Sequence, residues 1–478
     1  GTEIRPIDGY DIQTTINVNL QDVTESALLK HLEKHRADYG VAVLMEVKTG
    51  EIKAISNLSR NNEGQYYERY NYAVASQGAR EPGSTFKLAS MIALMEDSNI
   101  GLTDTVDTGN GVMKFFSETM RDHKPGGYGV LTVQEVFEKS SNIGTAKLIT
   151  QHFGSNPSKY TDYIKKIGLD KPLGFQMVGE GVPYIKDPTD STWSGVSLPW
   201  ISHGYELKMT PLQTLTLYNA VANNGKMIQP LIVKKVKKAN RDIDEYEPKV
   251  LNDRICSKET LRKVRIMLEG VVDRGTAENI KNDKYKIAGK TGTAKKVENG
   301  RYTSNYYTSF AGYFPADNPK YSCIVVIDEP KGYQIYGSDV AAPVFKDIAD
   351  KIYALETELH KELPYDRDKY AGVFPVIRSG KQDELQMISN QFGISNHSDT
   401  EATWVTTDVV NHSVFWEDNQ PKPNHIPDVR GMTLRDAIYV LENMGLKVNA
   451  KGRGRVETQS LLPGTKFSKG TNIKLQLS

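Results

Sequence analysis

The sequence predicts an α/β (α+β) protein built on an antiparallel sheet, with a separate small α+β unit at the C-terminus. Three observations predict it. Val41 to Val47 and Glu51 to Ser56, joined by Lys48-Thr49-Gly50, form a β-hairpin pattern ahead of a long helical interior. Past residue 284 three β-rich runs follow, Tyr285 to Lys296, Tyr306 to Phe314 and Tyr321 to Ile327, joined by the turn signals Asn299-Gly300 and Pro315 to Pro319. After Pro421-Lys422-Pro423 the texture changes again, and about fifty residues read as a helix and a closing strand. A hairpin and a three-strand meander make one five-stranded antiparallel sheet, and the interior supplies a helical subdomain.

Gln21 to His35 has helical spacing through Leu20, Ala27, Leu28 and Leu32. The polar loop Asn57 to Tyr70 leads to Glu81-Pro82-Gly83, after which Leu88, Met91, Ile92 and Met95 fall at i, i+3, i+4 and i+7. Thr132 to His152 reads as helix, interruption, helix, and another helix carries Leu212, Leu215 and Leu217 to its stop at Asn223-Asn224-Gly225. Ala342 to Glu356 is helical. The expected domains are 1–355, a linker over 356–423, and a terminal unit over 424–478. In that unit Thr433 and Asp436 suit a capping box, and Leu434, Ala437, Ile438 and Leu441 share one face. Gly445 stops the helix, and Ile473, Leu475 and Leu477 alternate as a strand.

The 478 residues are 38% hydrophobic and 25% charged, enough for two to four globular domains. Sixty Lys and Arg balance 59 Asp and Glu, so no field of one sign points to nucleic acid or an anionic membrane surface. The two cysteines, Cys256 and Cys323, are too few for a zinc site or a disulfide scaffold, and Cys323 lies in an apolar run as a core residue. No apolar run reaches the ~18 residues of a membrane span. The chain begins with Gly1, which reads as a processed form whose leader or anchor has been removed.

Three short motifs carry chemistry. Pro82-Gly83-Ser84-Thr85-Phe86-Lys87 opens an apolar helix and is the only Ser-x-x-Lys in the chain. Three residues apart, Ser84 and Lys87 share a helical face. The helix dipole favours a developing alkoxide, and apolar neighbours disfavour a charged lysine, so Lys87 is available as a base. Ser140-Ser141-Asn142 breaks the second helical pair and offers a hydroxyl to relay a proton and a carboxamide to hold a peptide group. Lys290-Thr291-Gly292-Thr293 lies on a strand with Gly289, where glycines let a second backbone approach as an added strand. Each of the first two motifs alone has a simpler reading, as a helix cap with a surface lysine or as a helix-breaking cap. Lys48-Thr49-Gly50 and Ser59-Arg60-Asn61 imitate two of them out of order, and the phosphate-loop imitation at Gly289-Lys290-Thr291 lacks the glycine required where Lys284 stands.

In order the three are far more specific, with 56 residues from Ser84 to Ser140 and 148 from Asn142 to Lys290. Over most of 1–355 the chain resembles the penicillin-binding transpeptidases, most closely the class B, FtsI-like kind. Asp8-Gly9 before Thr14-Thr15-Ile16, Met209-Thr210-Pro211-Leu212-Gln213 and Ala341-Ala342-Pro343-Val344-Phe345 share that look. The resemblance implies the penicillin-binding/β-lactamase-like fold and a D,D-transpeptidase cross-linking peptidoglycan stem peptides. Ser84 would attack the penultimate D-alanine carbonyl, Lys87 take its proton, Ser140 pass a proton to the leaving D-alanine and Asn142 orient the substrate. Lys290, Thr291, Gly292 and Thr293 would bind the terminal carboxylate. The backbone N–H groups of Ser84 and Thr293 would form an oxyanion hole, one donor of which is worth ~3 kcal/mol. The base of acylation is disputed in this superfamily, and Lys87 is the group this sequence offers for it. Class A β-lactamases add a Glu-x-x-Leu-Asn loop after the second motif, and none follows Asn142. The penicillin adduct should therefore persist. A carboxypeptidase, a β-lactam sensor or hydrolase, and an inactive peptidoglycan-binding protein are the alternatives.

The last unit resembles a PASTA domain in Ile426-Pro427-Asp428-Val429-Arg430-Gly431-Met432, Gly445-Leu446, Pro463-Gly464-Thr465 and Lys469-Gly470. A muropeptide site and a structural appendage are equally weighted readings of it. A shift of 52 residues aligns Pro375, Arg378, Leu385, Ile388 and Gly393-Ile394 with Pro427, Arg430, Ala437, Val440 and Gly445-Leu446, so a degenerate second copy is expected at about 373–420. Division or sporulation members more often carry such tails, which implies septal synthesis with an FtsW-like membrane polymerase and division proteins as partners. The location implied is the extracytoplasmic (periplasmic) side of the bacterial cytoplasmic membrane, with an anchor absent from this chain. His31 and His35 are four apart but lack a third ligand, so an exposed helix face is expected there, and no metal or organic cofactor is expected anywhere.

Overall fold

Tyr39–Glu46 is buried along almost its whole length, which requires strands on both sides of it and helices on both faces. The computed structural model describes residues 9–238, 241–298, 301–360, 379–392, 394, 396–398, 400–410 and 413–478. The chain divides into two units, Gly1–Lys361 and Glu362–Ser478.

In the first unit the elements that position the site are α1 (Val18–His35), β1 (Tyr39–Glu46), β2 (Ile52–Arg60), β3 (Tyr66–Glu68), α2 (Lys87–Asp97), α3 (Val133–Glu138), α4 (Asn142–Phe153), α5 (Pro211–Ala222), α6 (Lys258–Asp273), β4 (Ala288–Glu298), β5 (Arg301–Phe314), β6 (Tyr321–Asp328) and α7 (Ala342–Leu355). The sheet runs β4-β5-β6-β1-β2-β3, with every pair antiparallel. The expected five strands are present, and a sixth, β3, pairs three residues of the polar loop with the end of β2. Its exposed, alternation-free sequence gives no strand signal. The Asn299-Gly300 turn lies outside the described residues.

Helices α1 and α7 cover one face, while α5 and α6 cover the other and carry α2 behind them. Met209-Thr210-Pro211-Leu212-Gln213 is the start of α5. Thr210 accepts the Gln213 N–H, Gln213 closes the capping box, and Pro211 occupies the first turn where its missing N–H costs nothing. Every residue of α5 is buried, and so are Lys87 to Met95 of α2, the signature of helices with no wet face. Cys256 and Cys323 are both buried free thiols.

His31 and His35 correct the expectation of an exposed face. They are only 5% and 3% exposed, stacked at 6.3 Å between ring centroids. The histidine face of α1 packs on α7, where His31 Nε2 meets Asp347 at 3.1 Å, and the neighbouring Lys30 reaches the same carboxylate from outside. Among the described residues the one carboxylate-rich ligand set, Asp38, Asp328 and Glu329, includes neither histidine, and Lys296 and Lys331 bridge it.

The second unit contains β7 (Ser379–Lys381), α8 (Gln382–Gln391), β8 (Asn396–Ser398), β9 (Trp404–Val410), β10 (Ser413–Asp418), α9 (Leu434–Asn443), β11 (Lys447–Lys451), β12 (Val456–Gln459) and β13 (Asn472–Leu477). Thr433 caps α9 by accepting the Asp436 N–H, Gly445 turns the chain at φ 91°, and β13 alternates with Ile473, Leu475 and Leu477 inward. Strand β11 pairs parallel and β12 antiparallel to β13. Within the expected linker the same order recurs: after α8, β8 pairs parallel and β9 antiparallel to β10. Pro375, Arg378 and Gly393 of the aligned set lie outside the described residues.

Burial holds the His35 ring well below its ordinary value, at about 4. The stability tied to its neutral form is therefore complete above pH 6.5 and is lost as pH falls through about 4. His35→Leu should flatten the fall of melting temperature across that window. An unchanged slope would mean that His35 does not contribute to it.

Candidate active site

Ser84 sits in a one-turn 3-10 helix, Gly83–Phe86, that runs directly into α2. The entry turn needs Gly83, whose φ of 58° is costly for residues with a Cβ. Because α2 is buried from its first residue, Lys87 is 0% exposed, and Ser84 one turn earlier is 6% exposed. The Lys87 ammonium donates to the Ser140 carbonyl at 2.8 Å, to Ser140 Oγ at 3.2 Å and to Asn142 Oδ1 at 2.8 Å.

Those acceptors are held by the break between α3 and α4. Glu138, at the end of α3, is buried and gripped by Arg274 through two hydrogen bonds of 3.0 and 2.7 Å. Ser140 then turns the chain in the left-handed region at φ 56°, and Ser141 caps α4 by accepting the Gly144 N–H. Asp122 fastens the junction from outside. Its carboxylate accepts from Ser141 Oγ at 2.8 Å and from the N–H groups of Asn142 and Ile143 at 2.7 and 3.1 Å. A carboxylate at a helix N-terminus suits both the free N–H groups and the dipole.

Across the cleft, β4 is an edge strand of the sheet. Lys290 is 0% exposed, lies 5.7 Å over the Phe137 ring, and donates to the Thr291 carbonyl at 3.2 Å. Thr291 Oγ1 shares a 2.8 Å hydrogen bond with Thr276, and Thr293 Oγ1 accepts the Gly337 N–H at 2.9 Å. Gly292 was expected to admit a second backbone, and the backbone found there is the chain's own. A Cβ at 292 would stand 2.3 Å from Ser309 Oγ, 3.0 Å from the Thr85 methyl and 3.2 Å from the Pro82 carbonyl. The absence of a side chain at 292 thus lets both Ser309 and the turn bearing Ser84 sit close against the strand.

Ser84, Ser140, Thr291 and Thr293 line one cleft of about 330 Å³ with His123, Thr276 and Tyr336. Asn142 and Thr293 also line the adjoining aromatic groove of Trp200, Tyr205, Tyr302 and Tyr336. All three motifs therefore meet at one place. Burial lowers Lys87 to about 7, with Asp122 pulling weakly the other way. Burial and then the charge of Lys87 press Lys290 well below its ordinary value. Burial, with both lysines beside it, brings His123 down to about 4. Sequence reasoning missed Asp122, His123, Thr276 and Tyr336. They sit in loops, and only tertiary folding brings them to the cleft, although Asp122 stands one residue before a histidine that could have been tried as its partner.

The profile of the penicillin-binding protein transpeptidase domain matches residues 40–350, and that of the PASTA domain matches 424–478. The chain belongs to the penicillin-binding protein transpeptidase family. Stage V sporulation protein D of Bacillus subtilis is 28% identical over 480 aligned residues, covering 99% of this chain and 66% of the relative. Peptidoglycan D,D-transpeptidase FtsI of Buchnera aphidicola from Schizaphis graminum is 31% identical, covering 70% of this chain and 56% of the relative. This member of the transpeptidase family therefore spans less than two thirds of the length of these relatives. Its fold is similar to that of penicillin-binding protein 3 of Mycobacterium tuberculosis complexed with ampicillin, at 28% identity and a TM-score of 0.66 over 76% of this chain and 82% of the other.

Gly292→Ala should crowd Ser309 and the turn bearing Ser84 against β4. A core overpacking of this kind costs about 1–3 kcal/mol, so a lower melting temperature is expected. An unchanged melting temperature would show that the contact has room to spare.

Proposed function

We propose that the protein is a serine-type peptidoglycan D,D-transpeptidase and that β-lactams acylate it at Ser84. The observation that carries this reading is Lys87, fully buried one turn after Ser84 and bonded to Ser140 and Asn142 rather than to a carboxylate. In the first step the Ser84 hydroxyl oxygen bonds to the penultimate D-alanine carbonyl carbon. Its proton passes to the neutral Lys87 amine, and the peptide C–N bond breaks. The departing D-alanine amine takes a proton through the Ser140 hydroxyl, which lies 3.2 Å from Lys87 Nζ. An acceptor amine then attacks the ester, Ser84 recovers its proton, and the cross-link remains.

The carboxylate of the leaving residue is read as the partner of Lys290, Thr291 and Thr293. Burial and then the charge of Lys87 suppress the charge of Lys290, and an arriving carboxylate would favour it again. Asn142 Nδ2 donates to the Arg121 carbonyl at 3.0 Å, which aims its oxygen at Lys87 and fixes the side chain that would orient the substrate. The Ser84 and Thr293 N–H groups are the proposed oxyanion hole.

Septal wall synthesis during division, with a membrane glycan polymerase as partner and an extracytoplasmic location by way of an anchor, is supported by the likeness to proteins named FtsI. A role in sporulation is the second reading, favoured by the match to Stage V sporulation protein D along 99% of the chain. Among the described residues no helix is long and apolar enough to cross a membrane. We also read 379–418 as a degenerate PASTA copy, a reading supported by its repeated helix and strand order.

Incubation with fluorescent penicillin should give an adduct that survives a denaturing gel and is lost in Ser84→Ala. Rapid turnover would indicate a β-lactamase, and no adduct would sink the enzyme reading. The acylation rate should rise with pH through about 7 and level off, because the reactive Lys87 is the neutral one. Lys87→Ala and Lys87→Arg should each slow acylation by roughly 10²–10⁴-fold, since a guanidinium cannot take up a proton. A Lys87→Arg variant that acylates at the wild-type rate would exclude Lys87 as the base.

A further inference from the structure

The residue three places before the nucleophile is a half-buried carboxyl that none of the chemistry above uses. Glu81 Oε1 accepts the Glu206 N–H at 2.8 Å. The same two segments meet on either side of that bond. Arg80 and Met209 exchange N–H to carbonyl hydrogen bonds of 3.0 Å in both directions, and the Gly83 N–H donates to the Gly204 carbonyl at 3.1 Å. The contact at the nucleophile end is so close that a Cβ on Gly204 would stand 2.0 Å from the Gly83 carbonyl oxygen. Residues 80–83 and 204–209 thus form a short antiparallel clasp whose last member is the residue before Ser84.

The far side of the clasp is not relaxed by itself. Glu206 takes φ 57°, a conformation that costs a residue with a Cβ of order 1 kcal/mol. Its side chain is tied to the buried Lys186 at 2.7 Å. Behind it, Ser90 of α2 donates to the Ser202 carbonyl at 2.7 Å, so the loop is also tied to the helix that carries Lys87. The Glu81 side chain supplies the one clasp contact between 80 and 83 that a substitution can remove without altering the backbone.

We propose that Glu81 is a positioning residue that holds 204–209 against the Pro82–Gly83 turn and so fixes Ser84 for attack. The inference rests on Ser84 being the nucleophile. Its physical content is a hydrogen-bond acceptor rather than a charge. The charged and titratable groups around Glu81 are Glu206, Lys208 and Tyr205 on the facing loop, Tyr302 and Tyr307 on β5, Lys295 and Lys296 on β4, and the neighbouring Arg80. Burial, reinforced by Glu206, raises the Glu81 carboxyl to about 7 against the pull of its backbone hydrogen bond and Lys208. A protonated carboxyl still accepts through its carbonyl oxygen, and so does a glutamine. With the folded value raised, the stability gained from the protonated form is complete below about pH 4.5 and is lost as pH rises through about 7.

Three variants of the whole chain test this: wild type, Glu81→Gln and Glu81→Ala. The readouts are fluorescent-penicillin acylation from pH 5 to 9, melting temperature over the same range, and hydrogen exchange of the Glu206 amide. Losing a hydrogen bond to a buried group of this kind is expected to slow acylation in Glu81→Ala about tenfold or more, with non-covalent penicillin affinity unchanged. Glu81→Gln should stay within about twofold of wild type, because it keeps the acceptor. Its melting temperature should gain on wild type as pH passes about 7. The Glu206 amide should be protected in wild type and Glu81→Gln and exchange faster in Glu81→Ala.

Wild-type acylation in Glu81→Ala, or Glu81→Gln as slow as Glu81→Ala, overturns the proposal. If Glu81→Ala does not fold, slow acylation by Glu81→Gln still overturns it and wild-type-like acylation supports it. If wild type itself forms no adduct, the transpeptidase reading fails on its own. Unchanged Glu206 exchange would then overturn the clasp, and faster exchange in Glu81→Ala would support it.

Discussion

The site depends on an amine buried without a counter-charge. Lys87 is sealed by the packing of α2, and its hydrogen bonds go to a carbonyl, a hydroxyl and a carboxamide, all neutral. Burial of an unpaired ammonium is costly enough that the group gives up its proton instead. That condition fixes much of the surrounding structure. The neutral acceptors must be presented by a helix break, the break must turn at Ser140, and Asp122 must hold the break from a position that leaves Lys87 unpaired. A carboxylate in direct contact with Lys87 would restore its charge.

The second constraint is steric. The turn bearing Ser84 lies between two backbones, β4 on one side and residues 204–209 on the other. Both approaches are set by glycines, Gly292 and Gly204, whose added Cβ atoms would overlap their neighbours. Ser84 is placed by close backbone contact, which tolerates little adjustment, while the groove beside it is walled by the aromatic side chains of Trp200, Tyr205, Tyr302 and Tyr336.

Much of this was legible in the chain itself. Ser84, Lys87, Ser140, Asn142 and Lys290 were recognisable because their spacing is local within each motif and their order is fixed along the sequence. The fully buried strands β1 and β6 announced themselves by continuous apolar runs, and α9 by a cap, one apolar face and a glycine stop. What stayed hidden depends on distant packing. Nothing local marks β3 as a strand, because its pairing comes from the end of β2. His31 and His35 looked solvated among lysines, yet the face they occupy is covered by a helix more than three hundred residues later in the chain. Gly292 was rightly singled out as a place of close approach, but the approaching backbone could be identified only once the turn at Pro82 was seen against it. Thr276 and Tyr336 reach the cleft from loops without periodicity, so pattern reading had nothing to act on.

The suppressed charge of Lys290 has a consequence for how this cleft meets anions. With Lys290 held well below its ordinary value and Lys87 at about 7, the empty pocket projects a weakened field into solvent, so it gains less from electrostatic steering and its association rates should depend only weakly on salt. If a carboxylate is the ligand, as proposed, the attraction would appear only once it has arrived and Lys290 has drawn a proton from solution to meet it. Ligand binding is then proton uptake as well, and the heat it releases carries the ionisation heat of whatever buffer supplies that proton.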